Sequence, residues 1–437
     1  DQDSVVPTTR LQQRMTKGIP DQAASARLRS ALSIAVMCCA SAAAVAETGV
    51  SYGGLEISGF GTLGALRTNT DHAEVTRDQS QQHGAKTDLS LKQDSLIGIQ
   101  AYYKANESLE FVAQGVSRYG PRGDFRPELM AAYGQYAATP NLSLRAGRIG
   151  MEFYMLADSR LVGYSYLTVR PPREIFTALP FQYVDGADFT AIAPVGDGVL
   201  KGRLFLGQSG EEAPVADELL NLRGNPIAGA YAEYQTGNWQ WRVTYAQIEF
   251  KHELPDEVAA LRAGLNQASR FDFPGAAEAA ESISLTNTVS RFYSLGAVYD
   301  RGPLQVQGML AQIRHESAIY QDSFAAYLIA GYRIGQFTPF AGIATSRSTA
   351  DSVSSGLPAA PQFAPLNAGL DGAIARTHTD QTTYTLGVRW DFRRDMALKA
   401  QVDMVRGARD SIYLYPTHDA DFNGKLNVYS LALDFVF

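Results

Sequence analysis

The sequence predicts an all-β fold: a transmembrane, antiparallel, up-and-down β-barrel of about 16 strands. Three observations carry this. The last nine residues, YSLALDFVF, alternate strictly, with Tyr429, Leu431, Leu433, Phe435 and Phe437 on one face and Ser430, Ala432, Asp434 and Val436 on the other, the period of a strand with one apolar and one wetter side. About sixteen such segments can be traced from Gly54 to the end, and the connections between them alternate between short and long. Third, the polar faces hold Lys, Arg and Asp in mid-strand. Burying such charges in a dry core costs several kcal/mol each, so the charges belong on a wet interior and the apolar residues against lipid.

The strand-like segments span about 54–67, 89–104, 107–119, 129–138, 141–150, 183–193, 199–209, 225–236, 238–250, 287–300, 303–315, 322–335, 337–347, 379–393, 396–407 and 425–437. Three sort cleanly. Trp239, Trp241, Val243 and Tyr245 oppose Gln240, Arg242, Thr244 and Ala246; Tyr384, Leu386, Val388, Trp390 and Phe392 oppose Thr383, Thr385, Gly387, Arg389, Asp391 and Arg393; Met396, Leu398, Ala400, Val402 and Met404 oppose Ala397, Lys399, Gln401, Asp403 and Val405. Segments 129–138 and 287–300 sort poorly and are expected to hold bulges or to face neighbouring subunits.

Short connections such as Thr139-Pro140-Asn141, Thr236-Gly237-Asn238 and Asp300-Arg301-Gly302-Pro303 carry the Gly, Pro, Asn and Asp of tight turns. The largest long connections are about 68–88, 151–182, 251–286, 348–378 and 408–424. In an up-and-down barrel this puts the turns on one rim and the loops on the other. A closed barrel satisfies every backbone group within lipid, and sixteen strands leave an aqueous channel. The mean hydropathy of −0.15 fits strands that alternate, whose average stays modest.

The N-terminus reads as targeting. Arg27 and Arg29 precede an apolar run closed by Ala44-Val45-Ala46, the layout of a cleaved signal peptide. Residues 1–46 are expected to be a removed signal peptide with an upstream extension, Met15 being a plausible start, and 47–437 a single barrel domain. Cys38 and Cys39 would leave with it, so no disulfide, thiolate metal site or Cys nucleophile is expected in the mature chain. Five of 38 basic and three of 45 acidic residues would also leave, moving the net charge from −7 to −9. Such an acidic chain is not expected to bind nucleic acid.

The ending resembles the C-terminal signal of bacterial outer-membrane barrels, which carries alternating hydrophobics and a terminal Phe. With the sixteen segments, the loop alternation, LEISGFGTLGAL and LSLRAGRIG, the chain from about 54 to 437 resembles the trimeric general porins of Gram-negative bacteria. That resemblance implies a homotrimer of water-filled pores in the outer membrane, passing small hydrophilic solutes and ions, surrounded by outer-membrane lipid and lipopolysaccharide. It also implies an end strand read by the barrel-assembly machinery, and a third long loop folded into the lumen. Here that loop is 151–182, with a stiff Pro171-Pro172 pair.

The constriction candidates are Glu152, Asp158, Arg160, Arg170, Arg173 and Glu174 on the loop, and Arg145, Arg148, Lys201, Arg203, Arg242, Arg333, Arg389 and Lys399 on the wall. Lumen charges would set ion preference and a transverse field. Loops of this family are often mostly acidic, whereas this one is mixed, which leaves anion or cation preference open. Tyr102, Tyr103, Tyr133, Tyr136, Trp239, Trp241, Tyr299, Trp390 and Phe392 are read mostly as interface belts. His72, His83, His252, His315, His378 and His418 lie in long loops or at their margins with no metal-binding spacing, and no cofactor is expected. A short helix is expected over 255–265. The alternatives are a substrate-specific channel for phosphate, a carboxylate or a sugar, and a barrel enzyme of the lipase or protease type.

Overall fold

The computed structural model describes residues 50–177, 179, 181–215, 218–254, 256–411, 419 and 421–437. The expected signal peptide, Met15, both cysteines and His418 lie outside the described residues.

Sixteen strands close into one barrel. They are β1 (Leu55–Thr68), β2 (Leu96–Lys104), β3 (Leu109–Arg118), β4 (Pro127–Thr139) and β5 (Leu142–Gly150). Then come β6 (Tyr183–Val195), β7 (Gly198–Gln208), β8 (Pro226–Thr236), β9 (Trp239–Glu249), β10 (Val289–Arg301) and β11 (Leu304–His315). The last five are β12 (Asp322–Tyr332), β13 (Phe337–Thr349), β14 (Asp380–Arg393), β15 (Met396–Gly407) and β16 (Lys425–Val436). Each pairs antiparallel with the next, and β16 returns to pair with β1. A three-residue strand, Val50–Tyr52, extends β1, and a hairpin of Glu212–Val215 with Glu218–Asn221 stands on the connection after β7.

The seam is made by the ends of the chain. Phe435 pairs with Gly61, and Phe437 exchanges two backbone hydrogen bonds with Gly59, 2.7 and 2.9 Å long. The absent side chains matter: a Cβ on Gly59 would lie 2.2 Å from the Phe437 ring, and one on Gly61 would lie 2.4 Å from the Phe435 ring. The two rings lie over the glycines, stacked at 6.4 Å from each other. Tyr429, Leu431 and Phe437 are exposed on the outer surface, whereas Ser430, Ala432 and Asp434 are buried within.

The faces sort as expected. Outside lie Leu63, Ile99, Leu204, Val243, Leu295, Leu328 and Leu386, a closed apolar surface suited to lipid. Near the short turns Trp239 packs against both Trp241 and Tyr299, and Phe337 stacks on Trp390, an aromatic girdle. Tyr133 departs from the belt reading. It lies three residues from the outward Tyr136, hence on the other face, and the Arg145 guanidinium sits 5.1 Å from its ring. In β4, the strand that sorted poorly, the register slips twice, opposite Gln114/Gly115 and at Ala137/Thr139. β10 is regular. Its pattern was blurred because its inward Phe292 packs on apolar loop residues.

The short helix proves longer, α2 (Asp256–Ser269), and is followed by α3 (Pro274–Ser282) in the same connection. A helix α4 (Ala364–Ala375) in the β13–β14 connection meets α2, with Arg376 3.0 Å from Glu257. Leu265, Ala276, Ala279 and Leu370 continue the apolar cluster that fills one side of the lumen.

Closure should depend on the seam. Deleting Phe437, or making Gly59→Val, is expected to lower the fraction of protein that reaches the compact barrel. Heat-modifiable gel mobility after refolding reads that fraction, and an unchanged fraction for both variants would contradict it.

Candidate functional site: the lumen and its inward loop

The connection between β5 and β6, residues 151–182, crosses the interior and touches most of the wall. At its start Glu152 enters a basic pocket. Arg145 on β5 lies 3.0 Å from it, Arg203 on β7 is ion-paired with it, and the Tyr231 hydroxyl of β8 donates to it at 2.8 Å. Arg145 also grips Asp188 at 2.6 Å, and Arg203 donates to Thr190 at 2.8 Å. Arg242 of β9 pairs with Glu233 and donates to the Tyr154 carbonyl at 2.8 Å. Burial opposes ionisation of Glu152, but the surrounding Arg203, Arg145, Lys201 and Arg242 charges overcome it and hold its carboxyl well below the usual range.

The middle of the loop turns to the opposite wall. Gly163 lies where a Cβ would fall 2.2 Å from the Asp434 carboxylate and 2.5 Å from the Thr62 hydroxyl, so the backbone approaches as closely as glycine permits. Lys399 on β15, fully buried, pairs with Asp434 of β16 at 2.8 Å and donates to the carbonyls of Gly163 and Thr168 at 2.7 and 3.0 Å. Arg389 on β14 donates to the carbonyls of Tyr164 and Tyr166 at 2.5 and 2.9 Å and lies over the Tyr164 ring. The Gln401 side chain accepts the Val169 N–H at 2.8 Å.

Beyond these carbonyls, Arg170 donates to Asp94 at 2.7 Å and to Ser430 at 2.5 Å and lies 3.4 Å from Asp403. Arg77, from the β1–β2 connection, reaches the same Asp94 at 3.5 Å. The Pro171-Pro172 pair then leads into a one-turn helix, α1 (Arg173–Phe176), since proline fixes φ ahead of the turn. Arg173 donates to Thr76 at 3.3 Å, while Glu174 accepts from Gln381 at 2.7 Å and Thr383 at 2.5 Å. Along its other side the loop buries Phe153, Tyr154, Met155, Ile175 and Phe176 against inward Phe292, Met309, Tyr327 and Ile329. One half of the interior is thus dry and the other is ionic.

The structure thus places most of the fourteen constriction candidates in or around the lumen. Glu152, Arg145, Arg203 and Arg242 share one cluster; Arg170, Arg173 and Glu174 line another; Arg389 and Lys399 clamp the loop backbone. Lys201 faces inward 5.6 Å from the Tyr231 ring. Asp158 is exposed, two residues past Leu156, whose φ of 63° is unusual for a branched residue. Arg160 is turned back into the loop, donating to Phe181 and Gln182. Two candidates are corrected. Arg148 lies three residues from the inward Arg145 and faces outward, paired with Asp185 at 2.7 Å and stacked 3.8 Å from the Tyr183 ring. Arg333 lies in the exposed turn after β12, not on the wall.

A second revision concerns water. Arg145, Arg170, Arg173, Arg203 and Arg242 are each less than a tenth exposed, so the basic wall is largely covered by the loop rather than bathed. The constriction list left out the acids that make this possible, Asp94, Asp188, Glu233, Asp403 and Asp434, although parity had already put Asp403 and Asp434 on wetter faces. Asp188 and Glu233 also sit on strands at inward positions, so the parity count that located the arginines reaches them too. Asp94 and Arg77, in a loop, left no such signal. The loop histidines are scattered, except that His72 meets Asp419 at 2.8 Å, with Asp421 beside them.

Where the loop returns to the wall, Glu211 accepts the N–H groups of Gln182 and Tyr183 at 2.5 and 3.4 Å. Burial pushes its carboxyl up to about 7, against the pull of those hydrogen bonds and of the Arg160 and Arg118 charges.

No family model matches the chain, and no curated protein matches its sequence. Solved structures do. An anion-selective porin from Comamonas acidovorans superposes with a TM-score of 0.51 at 12% identity, over 88% of this chain and 99% of that one. The outer membrane channel DcaP of Acinetobacter baumannii gives 0.52 at 10%, over 89% and 99%. OmpF of Salmonella typhi gives 0.51 at 11%, over 89% and 100%. The fold is that of the general outer-membrane porins. Within this porin fold, the inward loop is the element that defines the lumen.

Two outcomes follow. Replacing Lys399 with Met leaves Asp434 buried without its partner and frees two loop carbonyls, which should cost about 3–5 kcal/mol; a lowered unfolding midpoint of the detergent-solubilised barrel checks it. Glu211, with its folded pKa raised, favours the protonated form. Its contribution is complete below the ordinary carboxyl range and is lost as pH rises through about 7. Protease sensitivity of the 151–182 loop should rise from pH 5 to 8, and Glu211→Gln should flatten that rise.

Proposed function

We propose that this chain is an outer-membrane porin whose lumen carries small hydrophilic solutes and ions by passive diffusion, working as a homotrimer after removal of residues 1–46. The observation that carries this reading is the division of the barrel wall: apolar side chains outside, and inside a wall of arginines and carboxylates matched to a loop that crosses the lumen. A sixteen-stranded barrel is wide enough to need an internal loop if its opening is to discriminate by size. Because the arginines lie beneath that loop, the free opening is narrow and the size limit correspondingly low.

Lys201, less buried than the paired Arg145, Arg203 and Arg242, belongs to the wall, and the exposed Asp158 belongs to the loop. Charges of opposite sign on the two sides of an opening impose a transverse field on whatever passes. In favour of the trimer is a run of small outward residues on β3–β6, Ala113, Gly134, Ala146 and Ala187, set among the bulky Phe111, Tyr136, Leu144 and Phe189. Small residues let a second surface approach closely within a membrane.

Planar-bilayer recording tests the reading. Folded protein is expected to insert as conducting units that close in steps of three. Correctly folded protein with no conductance would mean a plugged barrel and would end the proposal. Asp158→Asn should shift the reversal potential in a salt gradient towards anion preference; no shift would remove Asp158 from the opening.

A further inference from the structure

At the loop rim beside the seam, three cations stand on the outer face of the barrel. We propose that Arg67 on β1, Arg406 on β15 and Lys425 on β16 form a docking site for the headgroup phosphate of an anionic membrane lipid. The inference rests on the apolar outer face lying in a membrane and not on conduction.

The first argument is position. Strand parity puts all three residues outward. Read towards the loop rim, Leu63 and Ala65 precede Arg67, Val402 and Met404 precede Arg406, and Leu431, Tyr429 and Asn427 precede Lys425. Each cation is therefore the first outward charge met after an apolar run on its strand. That is where hydrocarbon gives way to headgroups. The exposed Tyr429 pairs in register with Arg67 and marks the same boundary, as aromatic residues at membrane interfaces do.

The second argument is charge. Arg406 lies directly opposite Lys425 in the sheet, and like charges so placed destabilise a pair of strands. The Arg406 guanidinium donates to neutral acceptors, the carbonyls of Val405 and Leu426 and the Asn427 side chain. The acids of the adjoining β15–β16 connection, Asp419 and Asp421, gather at His72 instead. Other outward cations of this rim have their own acids, Arg148 with Asp185 and Arg291 with Glu316, each at 2.7 Å. Among the described residues, no carboxylate forms an ion pair with Arg67, Arg406 or Lys425, so the anion that offsets them comes from outside the chain.

The third argument is chemistry. A guanidinium fork matches two phosphate oxygens, and an ammonium adds a point charge. A lipid supplies that phosphate at the right depth, with acyl chains to lie along the apolar residues below. The three strands also stand apart from β3–β6, the face assigned to the subunit contact, so lipid can reach them.

Native mass spectrometry of the folded, detergent-solubilised protein reads the site, with dioleoylphosphatidylglycerol as probe and dioleoylphosphatidylcholine as the zwitterionic comparison. The first phosphatidylglycerol is expected to bind more tightly than phosphatidylcholine. Each Lys or Arg beside an anionic headgroup strengthens association about fivefold, so Arg67→Gln should raise the Kd about fivefold and Arg406→Gln with Lys425→Gln further. Arg270→Gln, which removes a charge from a distant loop, should leave it unchanged. Inorganic phosphate, without acyl chains, should compete at least about tenfold less well than the lipid. Heat-modifiable mobility checks that each variant is folded, and should the double variant fail to fold, Arg67→Gln alone decides. Equal binding of the two lipids, a Kd unmoved by Arg67→Gln, an equal loss in Arg270→Gln or full competition by phosphate would each overturn the site. So would variants that break up an oligomer while lipid binding persists, the patch then meeting a second copy. The pore reading fails separately, on absent conductance.

Discussion

Everything in this molecule depends on the backbone seam between the last strand and the first. A sheet in hydrocarbon cannot leave an edge, because each unsatisfied N–H or C=O costs several kcal/mol there. The chain meets that constraint with its own ends: Phe437 bonds twice to Gly59, and the Phe435 and Phe437 rings cover two glycines that have no side chain to displace them. Once the sheet is closed the wall has two different solvents, and the alternating side chains have a defined inside and outside. The interior can then hold arginines that no lipid-facing position would tolerate.

Closure of sixteen strands also leaves a wide interior. The loop between β5 and β6 occupies it by dividing its contacts. On one side it buries aromatic and aliphatic residues against β10–β13; on the other it is held by ion pairs and hydrogen bonds to β14–β16, β1 and β5–β9. The apolar half is non-directional and sets how far the loop reaches. The ionic half is directional and sets its register. Buried pairs of this sort add little net stability over apolar packing, but losing one partner is expensive, so they fix one arrangement.

Much of the architecture was legible because strand parity is a simple code. All sixteen strands were found near their observed positions, and the inward faces of β9, β15 and, as far as the bulge after Trp390, β14 were assigned correctly; past that bulge Arg393 is exposed and opposite Met396. Where the reading failed, the code was either unread or overwritten. Arg148 and Tyr133 were misplaced although counting three residues from Arg145 and Tyr136 puts each on the other face. β10 looked disordered in pattern because its inward Phe292 is apolar, and the reason lies over a hundred residues away in Phe153 and Tyr154. The second strand was begun too early, at 89, because Leu89 and Leu91 alternate like a strand while belonging to the loop, joined to β1 by one bridge at Ser90. Partners of the loop such as Asp94 and Arg77 depend on tertiary contact and have no local signature.

The clamp on the loop has one further property. Lys399 and Arg389 hold the carbonyl oxygens of Gly163, Thr168, Tyr164 and Tyr166, and Gln401 holds the N–H of Val169. These are main-chain atoms, present whatever side chains the loop carries. Between Tyr164 and Val169 the wall therefore holds the chain by atoms that no substitution there, short of proline, removes. Changes of lumen chemistry are cheapest in that stretch, where the support does not pass through the side chain.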